Sequence, residues 1–397
     1  MNIENKKMWF SLSPSVFIWR KKERCLFYDS NTFQSKLFCI DHPSVESFIS
    51  ELQDIDNLHC TDVTEKPSEE VISFLKELIN LQMGIIVNEE QARGIRPIQL
   101  PPMLNLQSAV ERLEDKGLTD LTVGENILDY VHEVHIILSE NPESQIVQSI
   151  TNFIDTLKKT GFYAIKISGY TPTLNKLTDF WQSLNSMFAL KTIVLDFDND
   201  IPDVLLSIKE LGIENISILM YVKSDFNKEL LDKVENYLQS EEINHEYEFW
   251  VTDEKEFDEI QAKTQDIDAK LVNIKPVFDG SNYAFFENEI FIDENDVQSI
   301  ELSKKNIFAH QALNTNDFGK LTITADGKVY ANPHFPALGT VNDDIRLLVH
   351  KEMIAGTSWR RVRDMKPCCD CVYQWLCPSP SNYEIVIDKP NLCHVMP

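Results

Sequence analysis

The first part of the chain carries short apolar runs, followed by apolar residues at helical spacing. Three strand-like runs are separated by polar turns. Each of the two segments that follow places its apolar residues three and four positions apart, as an amphipathic helix does. A last apolar run closes the region. In order, these segments are the strands Val16–Trp19, Cys25–Tyr28 and Lys36–Ile40, the helices that begin near Ser44 and Ser68, and the strand Ile85–Val87.

This order predicts a small winged-helix-like module over residues 1–92. Ser44 is a suitable N-cap for the first helix, because its hydroxyl can accept a hydrogen bond from an unpaired backbone N–H of the first turn. Beyond the module the apolar pattern is lost, and we interpret residues 93–128 as a linker. Three prolines mark it: Pro97, Pro101 and Pro102.

Between residues 129 and 300, apolar runs alternate with amphipathic helical segments. This alternation predicts an α/β fold with a parallel sheet and helical crossovers. The repeats are too few for a closed eight-stranded barrel, so a partial (β/α)6 TIM-like barrel and an open doubly wound sheet both fit. The predicted strands are Val134–Leu138, Tyr163–Ile167, Thr192–Asp196, Ile216–Tyr221, Glu246–Val251 and Leu271–Ile274; the clearest helices are Ile146–Lys159, Leu174–Met187, Val204–Leu211 and Lys228–Ser240.

Charge and hydropathy restrict the partners. Acidic residues outnumber basic ones by 63 to 37, which gives a formal net charge of −26. Binding to nucleic acid phosphates requires a basic surface, so we exclude nucleic acid as a partner. No apolar run approaches the roughly 18 residues of a membrane helix, and the N-terminus lacks the apolar segment of a signal peptide. We therefore expect a cytoplasmic protein that does not bind membranes.

The cysteines are concentrated near the C-terminal end, where five of the eight lie between residues 368 and 393. Two residues separate Cys368 from Cys371, five more precede Cys377, and Cys393 follows sixteen positions later. Thiolates are soft ligands that suit iron–sulfur clusters and zinc. We predict that these four cysteines hold a metal centre. Disulfides are the weaker alternative, because the remaining cysteines are scattered and nothing suggests secretion.

A hairpin that turns on Asp326 and Gly327 precedes Trp359 and the cysteine segment. Together these features resemble the C-terminal SPASM domain of radical SAM peptide maturases, and we assign residues 301–397 to it. The resemblance implies that Cys368, Cys371, Cys377 and Cys393 bind one auxiliary [4Fe-4S] cluster. Ligands of the family's other auxiliary cluster are replaced here, two of them by Asn332 and Ser381.

The middle region resembles the partial barrel of radical SAM enzymes, but it lacks their cysteine motif. The family carries Cys-x3-Cys-x2-Cys after the first barrel strand, where this chain has residues 139–144, and no cysteine occurs between Thr61 and Pro367. The family's Gly-Gly-Glu-Pro motif survives only as residues 168–172. The resemblance therefore implies a pseudoenzyme without a SAM cluster. It is similar to accessory proteins of ribosomal peptide maturation systems whose precursors have double-glycine leaders.

In that setting the N-terminal module resembles a peptide-recognition element; a small structural domain is the alternative. The resemblance implies that a precursor leader adds as a strand along Lys36–Ile40, contacting Lys36, Leu37 and Phe38 beside the helix Glu69–Leu81. The implied partners are this leader and an active radical SAM peptide maturase, in a heterodimer. Two alternatives stay open for the metal centre: an electron-transfer subunit that uses its single cluster, or a scaffold with structural zinc.

Overall fold

A computed structural model of the chain describes residues 7–100, 102, 125–139, 142–159, 163–169 and 177–395. Its N-terminal part contains two antiparallel three-stranded sheets, ordered β5-β1-β6 and β2-β3-β4, with two helices. The elements are β1 Met8–Leu12, β2 Val16–Lys21, β3 Arg24–Asp29, β4 Ser35–Cys39, α1 Pro43–Gln53, β5 Cys60–Asp62, α2 Glu69–Asn80 and β6 Gly84–Asn88.

Both predicted N-terminal helices form, and each has a side-chain cap. The Ser68 hydroxyl accepts the backbone N–H of Val71 at the start of α2. The cap of α1 is His42 rather than Ser44, because Nδ1 of His42 accepts the Ser44 N–H. Pro43 then occupies the first turn of α1, where its missing N–H costs no hydrogen bond. The apolar faces of both helices pack on one side of the β2-β3-β4 sheet.

A nine-stranded, mostly parallel sheet forms the centre of the molecule, which confirms the α/β prediction. Its order is β12-β11-β10-β9-β8-β7-β13-β14-β15. The strands are β7 Glu133–Ile137, β8 Ala164–Ser168, β9 Leu190–Asp196, β10 Ile216–Lys223, β11 Asn244–Val251, β12 Val272–Pro276, β13 Lys320–Ile323, β14 Lys328–Tyr330 and β15 Gly339–Thr340; the helices between the first six are α3 Ser144–Asp155, α4 Thr178–Asn185, α5 Ile201–Glu210, α6 Lys228–Ser240 and α7 Glu254–Lys263.

Strands β7 to β12 are adjacent in chain order and all parallel. Strands of a barrel follow each other in this sequential order. In a doubly wound sheet, by contrast, the order in which strands are added reverses at a switch point, although the strands stay parallel. Gly169, just after β8, allows the ends of β7 and β8 to approach closely. Its φ is +117°, and a Cβ there would lie 2.1 Å from the carbonyl oxygen of Leu138.

The C-terminal region extends the central sheet and also contacts the N-terminal module. The predicted hairpin forms as β13 and β14, and β13 pairs in parallel with β7. The second face of the β2-β3-β4 sheet packs on this region, where the Tyr28 hydroxyl accepts the Leu302 N–H at 2.7 Å. Four further helices of six residues or more are α8 Glu294–Ser299, α9 Lys304–Ala312, α10 Ile345–Ala355 and α11 Asn382–Ile387.

Candidate metal centre

The four cysteines predicted as ligands line one cavity, which we call the cysteine cavity. Cys368, Cys371, Cys377 and Cys393 all contribute to its wall, together with side chains that include Arg363. Cys369 is half-buried and does not belong to this wall. The structure therefore brings together the four selected thiols and separates them from their immediate neighbour in sequence.

Local backbone hydrogen bonds fold the first three cysteines into a compact loop. A 3-10 turn spans Cys368–Asp370, and the Cys371 N–H donates to the Cys368 carbonyl at 3.0 Å. The Cys377 N–H then donates to the carbonyl of Tyr373 at 3.0 Å. These successive tight turns bring the three cysteine side chains to the same side of the loop.

The fourth cysteine reaches the cavity through a short backbone pairing with a distant segment. Cys393 forms a parallel bridge with Ile292. The Ile292 N–H donates to Leu392 at 3.2 Å, and the His394 N–H donates back to Ile292 at 3.0 Å. This pairing fixes the chain on both sides of Cys393, so the thiol is held opposite the loop that carries the other three.

Burial sets the protonation of these thiols. It raises the pKa of Cys377 to about 12, against the opposing effect of Arg363. Burial also raises the pKa values of Cys371 and Cys393, and the nearby Cys368 adds to both. The buried thiols are therefore protonated at neutral pH in the absence of a cation. A bound metal would displace these protons, since thiolates are the form that ligates.

Arg363 supplies a positive charge beside the thiols that the sequence did not reveal. Its Nη2 forms an ion pair with Glu384 at 2.9 Å, and its Nη1 lies 3.8 Å from Sγ of Cys368. Burial acts to lower the pKa of Arg363, but Glu384, Cys377 and Cys368 outweigh it and raise the pKa. The guanidinium therefore stays charged and would partly balance the charge of thiolate ligands if a metal were bound. No local pattern links these residues, because Glu384 lies 21 positions after Arg363.

Zinc and an iron–sulfur cluster require different separations of their thiolate ligands. Among the described residues, no three His, Cys, Asp or Glu side chains are grouped closely enough to hold a metal ion. Tetrahedral zinc with Zn–S bonds of about 2.3 Å would need its sulfur atoms about 3.8 Å apart. In an iron–sulfur cluster each thiolate binds a different iron atom, so the ligands surround a larger space. The four cysteines around the cavity supply the kind of donor that either centre uses.

The two positions that the SPASM resemblance compares with ligands of a second cluster, Asn332 and Ser381, form hydrogen bonds. Asn332 is 3% exposed, and its Nδ2 donates to Asp317 at 3.0 Å and to Asn382 at 2.6 Å. The Ser381 hydroxyl caps α11 and donates to Glu384. Both side chains are therefore committed to a buried polar network. This network joins the segment after β14 to the segment that follows the cysteine loop.

The predicted peptide-binding residues lie on an edge strand next to a helix. Within the part of the chain that the structure describes, β4 has one strand neighbour, β3. Lys36 forms an ion pair with Glu77 of α2 at 2.6 Å, and the Phe38 ring lies 4.7 Å from that of Phe74. Leu37 packs instead on the opposite face, against the C-terminal region. The free edge of β4 and the surface of α2 thus lie side by side, as the strand-addition prediction requires.

His135 in the middle of β7 and Ser168 at the end of β8 are hydrogen-bonded neighbours on adjacent strands. Nε2 of His135 lies 2.8 Å from Oγ of Ser168. Burial, reinforced by Lys166, lowers the pKa of His135 to about 4, so the ring is neutral. Of the residues that replace the family's motifs, Glu140–Asn141 and Tyr170–Pro172 lie outside the described residues.

Comparison with known proteins gives no further guide to the function. The chain matches no protein-family model, and no curated protein matches it. Among the described residues, no helix combines the length and the apolar character needed to cross a bilayer. The functional inference therefore depends on the residues and their geometry.

Proposed function

We propose that this chain is a catalytically inactive, cytoplasmic pseudo-radical-SAM protein that assists the maturation of ribosomal peptides. It binds a precursor leader and docks on an active radical SAM maturase. It holds one [4Fe-4S] cluster through Cys368, Cys371, Cys377 and Cys393. In this proposal the sequential strands β7 to β12 form a degenerate partial barrel, residues 7–88 a winged-helix-like recognition module, and the C-terminal region a SPASM-like domain.

One observation carries the proposal. Four cysteines from a 26-residue segment line a single cavity, whereas the sequence has no cysteine between Thr61 and Pro367. The cluster that would be retained is thus the one that cannot start a radical reaction, because all four of its iron atoms are ligated by protein. Reductive cleavage of SAM needs an open iron position, which three thiolates at the carboxyl end of β7 would leave.

The residues of this chain have binding and positioning roles in the proposal. The bound cluster would link the loop at residues 368–377 to Cys393 and hold the C-terminal region together. Arg363 compensates part of the ligand charge, and Glu384 holds Arg363 in place. Along β4, unpaired backbone groups bind the leader by strand addition, and α2 forms the wall of that groove.

The decisive test is anaerobic purification followed by two assays. We expect about four iron and four sulfide per chain, a broad visible absorption, and no 5′-deoxyadenosine after incubation with SAM and dithionite. Formation of 5′-deoxyadenosine by the chain alone would overturn the proposal. Co-expression with the maturase and precursor tests the accessory role, since full peptide modification without this chain contradicts it.

The exposure of the cysteine cavity supports an electron-transfer subunit as the second candidate. Cys368, Cys371 and Cys393 are all partly exposed, so a cluster held there would lie near the surface. Electron transfer requires the cluster to be redox-active, whereas a structural role does not. Zinc reconstitution would separate the two: peptide modification that survives zinc supports the structural role, and modification that is lost supports electron transfer.

A further inference from the structure

A second elongated groove lies between the N-terminal module and the cysteine loop. It has a volume of about 300 Å³, and one wall is the whole of β2, Val16–Lys21. The opposite wall includes Cys371, Gln374 and Trp375. We call it the β2 groove. It lies at the opposite edge of the β2-β3-β4 sheet from the proposed leader site on β4.

Within the described part of the chain, the edge of β2 that faces this groove has no strand paired to it. Among the described strands, β2 has only β3 as a neighbour. On its outer side the Ile18 carbonyl receives a long hydrogen bond of 3.5 Å from the Gln53 side chain. An edge strand presents a row of backbone donors and acceptors, and such a row is a template for an added strand. The groove is therefore suited to an extended polypeptide.

A buried histidine in the groove wall has a ring nitrogen without a partner. His59 is 7% exposed, and its Nδ1 has no hydrogen-bond partner among the described residues. Burial lowers the pKa of His59 to about 4, so the ring is neutral and offers one donor and one acceptor. A buried polar atom left unpaired is costly, which favours a ligand that satisfies it.

The backbone at His59 is held in an uncommon conformation. Leu58 and His59 have φ values of +48° and +55°, in the left-handed region that costs side-chain-bearing residues energy. The carbonyl of His59 accepts the Leu12 N–H at 2.9 Å, which anchors this turn to β1. Strained backbone of this kind is retained where a side chain has to be placed at a specific position. Here the conformation places the His59 ring in the groove wall.

The charge of the groove differs from that of the chain. The protein has a net charge of −26, yet no Asp or Glu is among the described residues that line the groove. Its charged side chains are Arg20 and Lys21. Arg20 is paired with Glu46 of α1. Lys21 also lines an adjoining hollow, in which Lys22 and Arg24 lie beside Glu23 and Asp370. Among its described lining residues, the groove itself therefore carries basic charged side chains and no acidic ones.

We propose that the β2 groove binds an acidic, extended peptide segment as an additional strand on β2. The segment would pair with the free edge of β2, provide a hydrogen-bonding partner for His59, and place an acidic side chain near Lys21. The groove shares Cys371 and Gln374 with the wall of the cysteine cavity, so all comparisons use chains purified in the same way. Peptide binding here differs from leader binding at β4, because the two sites use opposite edges of the sheet.

Fluorescence anisotropy with short synthetic probes tests the proposal on the full-length, anaerobically purified chain. The probe is a fluorescein-labelled hexapeptide of alternating valine and glutamate with blocked termini. Two control peptides accompany it: one has lysine in place of glutamate, and the other is N-methylated at alternate residues, which removes backbone donors. We expect the glutamate probe to bind at least tenfold more tightly than either counterpart. Equal binding of the glutamate and lysine probes, or undiminished binding after N-methylation, would overturn the proposal.

Variants locate the probe on the molecule. Lys21→Glu should weaken binding of the glutamate probe about tenfold, and His59→Leu should weaken it three- to tenfold, the effect of one hydrogen bond. Lys255→Glu, an 83%-exposed position on α7, is the matched charge control and should leave binding unchanged. If neither Lys21→Glu nor His59→Leu weakens binding of the probe, the probe binds elsewhere. The same holds if Lys36→Glu on β4 abolishes binding, and either result would refute the proposal that the β2 groove binds the peptide.

Discussion

Arg363 and Glu384 form a buried ion pair of 2.9 Å at the wall of the cysteine cavity, with side chains 9% and 7% exposed. The pair joins the chain before the cysteine loop to α11, which follows it. Glu384 also accepts hydrogen bonds from the N–H and hydroxyl of Ser381. The Glu384 carboxylate thus holds the Arg363 guanidinium beside the thiols and also caps the start of α11.

The substitution Glu384→Gln should destabilise the fold. It leaves the Arg363 charge buried without its partner, a change that costs about 3 kcal/mol in comparable buried pairs. Urea unfolding of the two chains at pH 7 measures the difference. Glu69→Gln, which removes the exposed ion pair with Lys66, is the control and should leave stability unchanged. A loss for Glu384→Gln no larger than that control would contradict the role of the pair.

The metal content should depend on Cys393 and not on Cys369. Cys393→Ala removes one of the four thiols of the cysteine cavity, and we expect the purified chain to lose most of its iron, sulfide and visible absorption. Cys369→Ala is the matched control, because Cys369 adjoins a predicted ligand without lining the cavity. Iron and sulfide analysis compares the two variants. Equal loss in both, or loss only in Cys369→Ala, would show that the ligands were assigned wrongly.

Stability should fall with acidification partly because of His59. Burial lowers its pKa from 6.5 to about 4 in the folded chain. Between these values the unfolded chain binds the proton and the folded chain does not. The contribution is therefore complete above pH 6.5 and is lost as the pH falls toward 4, by about 3 kcal/mol at most.

Unfolding in urea at pH 7 and pH 4.5 measures this contribution. The variant His59→Leu cannot titrate, so its stability should decrease less than that of the parent chain over the same interval. Parallel decreases in the two proteins would show that His59 takes up its proton equally in the folded and unfolded states.

Gly169 should not tolerate a side chain. In Gly169→Ala the new Cβ meets the Leu138 carbonyl oxygen, and φ is +117°, so we expect a loss of about 3 kcal/mol from overlap and backbone strain together. Gly280 has a φ of +88° with no atom within 4 Å of its Cβ position. Gly280→Ala therefore measures strain alone, at about 1 kcal/mol. Thermal unfolding compares the two, and equal losses would exclude a role for the close approach of β7 and β8.

Leader binding should respond to charge at β4. Lys36→Glu replaces an attraction to Glu77 by a repulsion at the border between β4 and α2. We expect the affinity for the precursor leader to fall about tenfold while the chain stays folded. Anisotropy of a labelled leader measures it, with Lys21→Glu on the opposite edge as the control. If Lys21→Glu reduces leader binding and Lys36→Glu does not, the leader site is not on β4.

Local patterns in the sequence predicted much of the fold. Helix α6 has the predicted bounds Lys228–Ser240, and the six parallel strands differ from their predicted bounds by two residues at most. Strand β1 was missed because its residues Trp9–Leu12 are all buried, so they lack the alternation that marks a half-buried strand. Strand β5 has only three residues, too few for any pattern.

The sequence likewise predicted some residues of the candidate sites and missed others. The spacing of the cysteines selected Cys368, Cys371 and Cys377 together with Cys393, and the structure places these four on one cavity. Arg363 and His59 could not be found from the sequence. Arg363 is paired with Glu384, 21 positions later, and His59 lines a groove with β2, residues 16–21; a single sequence does not report such contacts.

The sheet β2-β3-β4 carries an apolar core on each of its two faces. The apolar side chains on both faces are already engaged, so a visiting polypeptide would contact the sheet along its two edge strands, chiefly through the main chain. Recognition of that kind reads the shape and reach of a strand more than the identity of each residue. A protein organised in this way can accept diverse guests, provided that each can extend.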